Sequence, residues 1–404
     1  MAGHPRTGAL VWRLDAAGPV QIAAARPKES FAPASTMKIV TAANALAALG
    51  PDAQFETRLV AGASSRRSGE TLIGPLYVKG YGDPVLSTPK FARAELRGFG
   101  GSLGKLVAPL RTLGITRVRG PIVSDESYLD NRRGGPLWEA SYRFESPPLS
   151  ALSINQNFNA DDRSHGYVRN SPLAAAGRVR GAMHSLGIEH VGPLRVGMSP
   201  TAGRPIGSVM SPPLRQIVGL MLPPSDNFIA ETLTRDVGAW AGGNGTTAAG
   251  TAQATKLLTQ LGALRSTDRI VDGSGLSRAN RLSAETLVRV LTAADRDTTW
   301  GAPLVRALPH GGEGTLKRRL KNPDVATHVS AKTGSISGVT SLAGLVTSDG
   351  GVRYAFAFLM NGNQSRAARR AQDQMVTLLA TGAADSAVGA PAYSPGSVPP
   401  PPNP

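Results

Sequence analysis

Ser35-Thr36-Met37-Lys38 sets a hydroxyl and an amine three residues apart, so on a helix both project from one face. A serine hydroxyl is a poor nucleophile at neutral pH and needs a neighbouring base. A lysine can be that base when burial and a second cation lower its pKa. Two further strings carry groups suited to such a site. Ser225-Asp226-Asn227 lies mid-chain, and Lys332-Thr333-Gly334, near the C-terminal end, occurs once.

Each string has to be weighed against competitors and against a purely structural use. S-x-x-K also occurs from Ser87 to Lys90 and from Ser102 to Lys105. The former holds Pro89, which a helix accepts only in its first turn. The latter follows the Gly98-to-Gly101 cluster and reads as loop. Only Ser35 precedes a clear helix, with Met37, Val40, Ala43 and Ala47 on one apolar face and Gly50-Pro51 as the stop. Ser153-Ile154-Asn155 competes with the second string but lies in an alternating, strand-like stretch, whereas Ser225-Asp226-Asn227 opens a helix beginning at Phe228. Lys332 sits on an extended segment before a further strand, the Asp349-Gly350-Gly351 turn and a return strand from Tyr354 to Met360. Ser35 and the Ser225 string are also good helix caps, and Lys332 also fits an edge strand, so no string is decisive alone.

S-x-x-K, S-D-N and K-T-G in this order form a recognised catalytic set, and with them the chain resembles the low-molecular-mass class C penicillin-binding proteins. These are the D-alanyl-D-alanine carboxypeptidase/endopeptidases of bacterial walls. Tyr81-Gly82-Asp83-Pro84, Pro148-Leu149-Ser150-Ala151-Leu152-Ser153, Ser211-Pro212-Pro213-Leu214 and Asp272-Gly273-Ser274-Gly275-Leu276-Ser277-Arg278 support the resemblance, which runs from the first strand to about Leu379. It implies an α/β (α+β) fold: a penicillin-binding or serine β-lactamase-like transpeptidase domain, with an antiparallel sheet flanked by helices and an inserted β-rich domain.

The resemblance also implies roles. Ser35 attacks the carbonyl between two terminal D-alanines, with Lys38 as base and Lys332 as the second cation. Ser225 relays the proton to the departing amine, and Asn227 bonds the acyl chain and Lys38. Thr333, with Lys332 behind it, holds the terminal carboxylate. Gly334 lies between it and Ser335, whose backbone N–H joins that of Ser35 as the oxyanion hole. Arg278 is expected to meet an acidic substrate side chain or to be a structural arginine in a tight loop. Several relatives place an aspartate three residues after the tryptophan matching Trp138; this chain has Glu139-Ala140-Ser141 instead. A serine β-lactamase or esterase, a transpeptidase, and a non-catalytic cell-wall-binding protein remain as alternatives.

Organisation and composition agree with this picture. Residues Ala9 to Leu14 and Pro19 to Ala25 read as a hairpin, and a helix is expected from about Ser365 to Leu379. Strands at both chain ends predict one shared sheet. The long interval between the first two strings is too large for a loop and reads as strands over Arg58 to Ala61, Thr71 to Val78 and Val118 to Val123. The expected division is therefore 1-54 with 206-382 as a catalytic unit, 55-205 as one insert, and 383-404 as a proline-rich disordered tail. The 404 residues include no cysteine, which excludes disulfides and thiolate metal sites, and the six histidines show no metal-ligand spacing. No metal or organic cofactor is implied.

The net charge of +16 points to anionic partners. No basic run with interleaved aromatics and no nucleic-acid-binding module is present. Peptidoglycan stem peptides are the implied substrate and β-lactams the covalent inhibitors, while anionic wall polymers or a membrane surface suit the charge. No stretch approaches the roughly 20 apolar residues of a membrane span, and Met1 to Arg6 lack a signal-peptide core. The implied location is extracytoplasmic, with the export segment removed.

Overall fold

The protein is described from a computed structural model covering residues 6–100, 103–362 and 366–386. Most of the expected tail, from residue 387, and Ser365 lie outside the described residues. Five antiparallel strands form the central sheet, in the spatial order Val329–Ile336, Val339–Thr347, Arg353–Asn361, Arg6–Asp15, Gly18–Ala25. Arg13 pairs with Tyr354, so the two ends of the chain close one sheet.

The middle strand explains the layering. Every residue from Tyr354 to Leu359 is buried, so both faces of the sheet are covered. Side chains alternate between those faces. Ala355, Ala357 and Leu359 pack toward the Met37–Leu49 and Ala284–Arg296 helices, while Tyr354, Phe356 and Phe358 pack with Val376 and Leu379 of the Arg366–Ala380 helix. The Met37–Leu49 helix is buried nearly all round, as a helix in the middle of a domain must be. Leu214–Met221, Asn227–Trp240 and Thr247–Gln260 complete this helical layer.

A second apolar core is drawn entirely from residues between Leu59 and Val209. It lies around two sheets joined by three like corners. Thr71–Ile73 turns at Gly74-Pro75 into Leu76–Gly80, Arg117–Arg119 turns at Gly120-Pro121 into Ile122–Asp125, and Glu189–Val191 turns at Gly192-Pro193 into Leu194–Val196. The first arms pair in parallel in one sheet and the second arms in parallel in the other. The corners stack: Gly74 N–H donates to Arg119 O at 2.9 Å and Gly120 N–H to Val191 O at 2.9 Å. Thr71 to Val78 and Val118 to Val123 are thus each two strands in different sheets, because proline lacks the N–H that would continue a ladder.

The interval is less purely β than its sequence reads. Leu103–Thr112 and Ser171–Ser185 are helices packed on this core, so Leu103-Gly104-Lys105 is helical rather than loop. Pro89–Glu95 is a helix with Pro89 in its first turn. Arg204–Met210 returns antiparallel to Glu56–Ala61 and closes the larger sheet. Among the described residues no helix is long and apolar enough to cross a membrane.

Gly120 is a tight corner, with φ +147° and the Gly74 backbone where a Cβ would sit. Gly120→Ala is expected to destabilise the fold by about 2 kcal/mol or more, through strain and overlap together. Gly187, at φ +68° with nothing within 4 Å, carries only the backbone penalty, and Gly187→Ala is expected to lose about 1 kcal/mol. Denaturant titration of both variants checks this; equal losses would refute the stacked-corner account.

Candidate active site

Ser35 lies in a single 3-10 turn, Ala34–Thr36, that runs directly into the Met37–Leu49 helix. The turn is fastened to the sheet: Pro33 O accepts from Thr36 Oγ1 at 2.7 Å and from Ser341 Oγ at 2.6 Å. One turn along, Lys38 is fully buried. Its Nζ donates to Ser35 Oγ at 3.0 Å, Asn227 Oδ1 at 2.6 Å and Ser274 O at 2.8 Å. Three donors thus meet three acceptors, the full complement of an ammonium.

Burial pushes the Lys38 pKa down to about 8, against the pull of the Asp272, Glu231 and Asp226 carboxylates. The amine is therefore poised to lose its proton near neutrality. Once neutral, its lone pair can accept the Ser35 hydroxyl proton across the same contact.

The S-D-N string is presented by a strained bend. Ser225 has φ +64°, and Asp226 then caps the Asn227–Trp240 helix by accepting from Ile229 N–H at 2.9 Å. Asn227 opens the helix with Oδ1 on Lys38 and Nδ2 donating to Glu145 O at 2.7 Å. Among the described residues no hydrogen bond joins the partly exposed Ser225 hydroxyl to Ser35 or Lys38 directly. The competing Ser153-to-Asn155 stretch is not a strand. Asn155, Gln156 and Asn157 all have positive φ, and Gln156 Nε2 donates to Asp226 Oδ2 at 3.2 Å, so this turn buttresses the site.

Lys332 is buried behind Lys38, its pKa driven well down by burial and then by the Lys38 charge. Its Nζ donates to Thr333 O at 2.9 Å. A Cβ on Gly334 would lie 2.6 Å from Pro33 O and 3.0 Å from Ser35 N. Glycine therefore lets the strand lie against the serine turn and brings Ser335 beside it. Thr333 Oγ1 donates to Thr315 Oγ1 at 2.7 Å. Thr315 carries no motif signal and reaches the site only through the fold.

Two buried acids that sequence reasoning did not single out fix the Ser274 carbonyl. Glu231 Oε1 accepts from Gly273 N–H at 3.1 Å and Ser274 N–H at 2.7 Å. Its pKa is raised to about 7 by burial and by the Asp272 charge. Asp272 accepts from the Gly275 and Ser277 N–H groups, Asn280 Nδ2 and Trp138 Nε1. Glu231 stands four residues after Asn227, a spacing that places both on one helix face; that was the available signal. Arg278 sits apart from Ser35, at the rim. It pairs with Glu139 at 3.4 Å and donates to Ser337 O at 2.5 Å.

The sequence profile of the D-Ala-D-Ala carboxypeptidase 3 (S13) family matches residues 7–162 and 164–382. The chain is 31% identical over 357 residues to carboxypeptidase Rv3627c of Mycobacterium tuberculosis, covering 86% of this chain and 74% of that protein. It is 31% identical over 387 residues to carboxypeptidase DacB of Mycolicibacterium smegmatis, covering 92% and 78%. Its fold matches penicillin binding protein 4 (dacB) from Haemophilus influenzae with a TM-score of 0.78 at 25% identity, over 92% of this chain and 96% of that one.

The depressed lysine fixes a pH dependence. Because only the neutral amine can accept a proton, acylation of Ser35 is expected to rise about tenfold per pH unit below the Lys38 pKa of about 8 and to level off above it. Lys38→Met is expected to lower the rate about 1,000-fold and to remove this pH dependence. Stopped-flow acylation from about pH 6 to about pH 9 checks this, and a flat wild-type profile would exclude Lys38 as the base.

Proposed function

The chain belongs to the D-Ala-D-Ala carboxypeptidase 3 (S13) family and is a serine peptidase of that class, and from this premise we propose that Ser35 is its nucleophile. The observation that carries the reading is the Lys38 amine held between Ser35, Asn227 and Ser274, with Lys332 behind it. Lys38 takes the Ser35 proton as Oγ adds to the carbonyl between the two terminal D-alanines. The resulting oxyanion is met by the backbone N–H groups of Ser35 and Ser335. Asn227 holds Lys38 and the acyl chain, and Thr333 holds the substrate carboxylate. Collapse breaks the C–N bond, and the proton reaches the leaving amine through Ser225. Water then adds to the acyl-enzyme and releases the shortened peptide with Ser35 restored.

The proposed substrates are peptidoglycan stem peptides, with free tails cleaved as carboxypeptidase and crosslinks as endopeptidase. β-Lactams acylate the same serine. These substrates place the enzyme outside the cytoplasm, where its +16 charge favours anionic wall polymers or a membrane surface. Arg278 belongs to the rim that meets the substrate side chain, balanced by Glu139. Residues 1–54 and 206–382 form the catalytic unit and 55–205 the insert, a division supported by the separate core between Leu59 and Val209.

Intact mass after mixing with benzylpenicillin tests the reading. A stable adduct of the whole drug is expected on the wild type and not on Ser35→Ala, together with release of D-alanine from a D-Ala-D-Ala peptide by the wild type alone. Rapid drug hydrolysis without an adduct would favour a β-lactamase. No adduct and no hydrolysis would leave a wall-binding protein.

A further inference from the structure

We infer that Arg369, on the C-terminal helix, is a specificity-determining residue that receives the free carboxylate of the substrate beside Thr333 and Ser335. The inference rests on the Ser35 reading above and extends it. Thr333 and Ser335 are two apart on one strand, so their side chains share a face. It is the face that also carries Val329 and Ala331, over which the Arg366–Ala380 helix packs. Arg369 Nη2 donates to Ser335 Oγ at 3.3 Å. Thr315 Oγ1 meets Thr333 Oγ1 on the same stretch of strand. Three hydroxyls and a guanidinium therefore converge at the outer end of the cleft.

The placement of Arg369 is built in. One turn further along its helix, the fully buried Gln372 donates to Thr340 O at 3.3 Å. Thr340 is the residue paired with Ser335 across the ladder, so the helix is locked in register with that position. Arg319 secures the same turn through Asp373 at 2.8 Å and Gln372 at 3.0 Å. Arg319 and Arg278 are both ion-paired, whereas among the described residues no acid pairs with Arg369. It carries no ion pair among those residues and is exposed.

Charge is what this end of the cleft otherwise lacks. Lys332 is fully buried and its Nζ is turned onto Thr333 O at 2.9 Å, so it presents no exposed cation to a carboxylate. A guanidinium stays protonated at any working pH and offers a two-pronged donor that fits a carboxylate.

Acylation rates with benzylpenicillin and with its methyl ester, which lacks the anionic carboxylate, test the inference on wild type, Arg369→Ala and Arg369→Lys. The wild type is expected to prefer the acid. Arg369→Ala should lose about tenfold on the acid, the lower range for a hydrogen bond to a charged group, and stay within about twofold on the ester. Arg369→Lys should recover part of the loss. An acid preference unchanged in Arg369→Ala would overturn the inference, as would equal losses on acid and ester. A wild type acylated by neither compound would instead overturn the Ser35 reading and remove this inference with it.

Discussion

The amino group of Lys38 is the constraint around which the rest is arranged. A buried ammonium without partners is penalised by several kcal/mol, so the fold has to bring acceptors to it. They come from three separate segments: Ser35 on its own helical turn, Asn227 on another helix, and the Ser274 carbonyl on a loop. Satisfying one nitrogen therefore fixes the relative positions of two helices and a loop. The same demand keeps Ser35, Lys38 and Asn227 of the S-D-N string within bonding distance of one another. A strand completes the set, because Gly334 lets the Lys332 segment lie directly on the serine turn.

Neither lysine is a simple cation in this setting. Burial acts on both, but three carboxylates lie within electrostatic reach of Lys38, while Lys332 faces the Lys38 charge. Burial lowers both amines, Lys38 to about 8, and the Lys38 charge adds to the lowering of Lys332. A pair of like groups given different environments can take different tasks. Lys38 contacts the Ser35 hydroxyl while Lys332 contacts the Thr333 carbonyl. Under the proposed function this makes the first the base and leaves the second to shape the field behind Thr333.

Much of the candidate site was legible in the sequence because it is local. Ser35 and Lys38 are one turn apart, and Gly50-Pro51 marks the end of their helix. The two-ended central sheet was legible from strands and turn signals at both termini. What depended on distant packing was not. Thr315 and Arg369 belong to the site only because a short turn and the C-terminal helix dock on one strand at a particular register. The left-handed turn of Asn155, Gln156 and Asn157 imitates an alternating strand, since a chain reversal can carry the same mixture of polar and apolar residues. The Gly-Pro corners at 74, 120 and 192 stand openly in the sequence. Their uneven spacing, with helices of different length between them, hides the repeat from any search for a fixed period.

The Asn227–Trp240 helix shows how such a site is held without helix-to-helix packing alone. Asn227, Glu231 and Arg235 recur every four residues and so line one face. Asn227 reaches Lys38, Glu231 takes the Gly273 and Ser274 N–H groups, and Arg235 donates to the Arg132 and Gly134 carbonyls while pairing with Asp130 at 2.8 Å. Glu231 and Arg235 are fully buried. A buried polar stripe is unfavourable against an apolar neighbour. Here its neighbours are irregular loops, whose backbone groups have no ladder or helix to satisfy them and must find side-chain partners. The stripe supplies those partners, so one helix ties the Lys38 contact, the 273–274 turn and the 132–134 turn that leads to Trp138 into a single rigid unit. Trp138 in turn donates to Asp272, which returns the chain of contacts to the loop bearing Ser274. Trp138 and the Lys38 amine are therefore set by one continuous polar network.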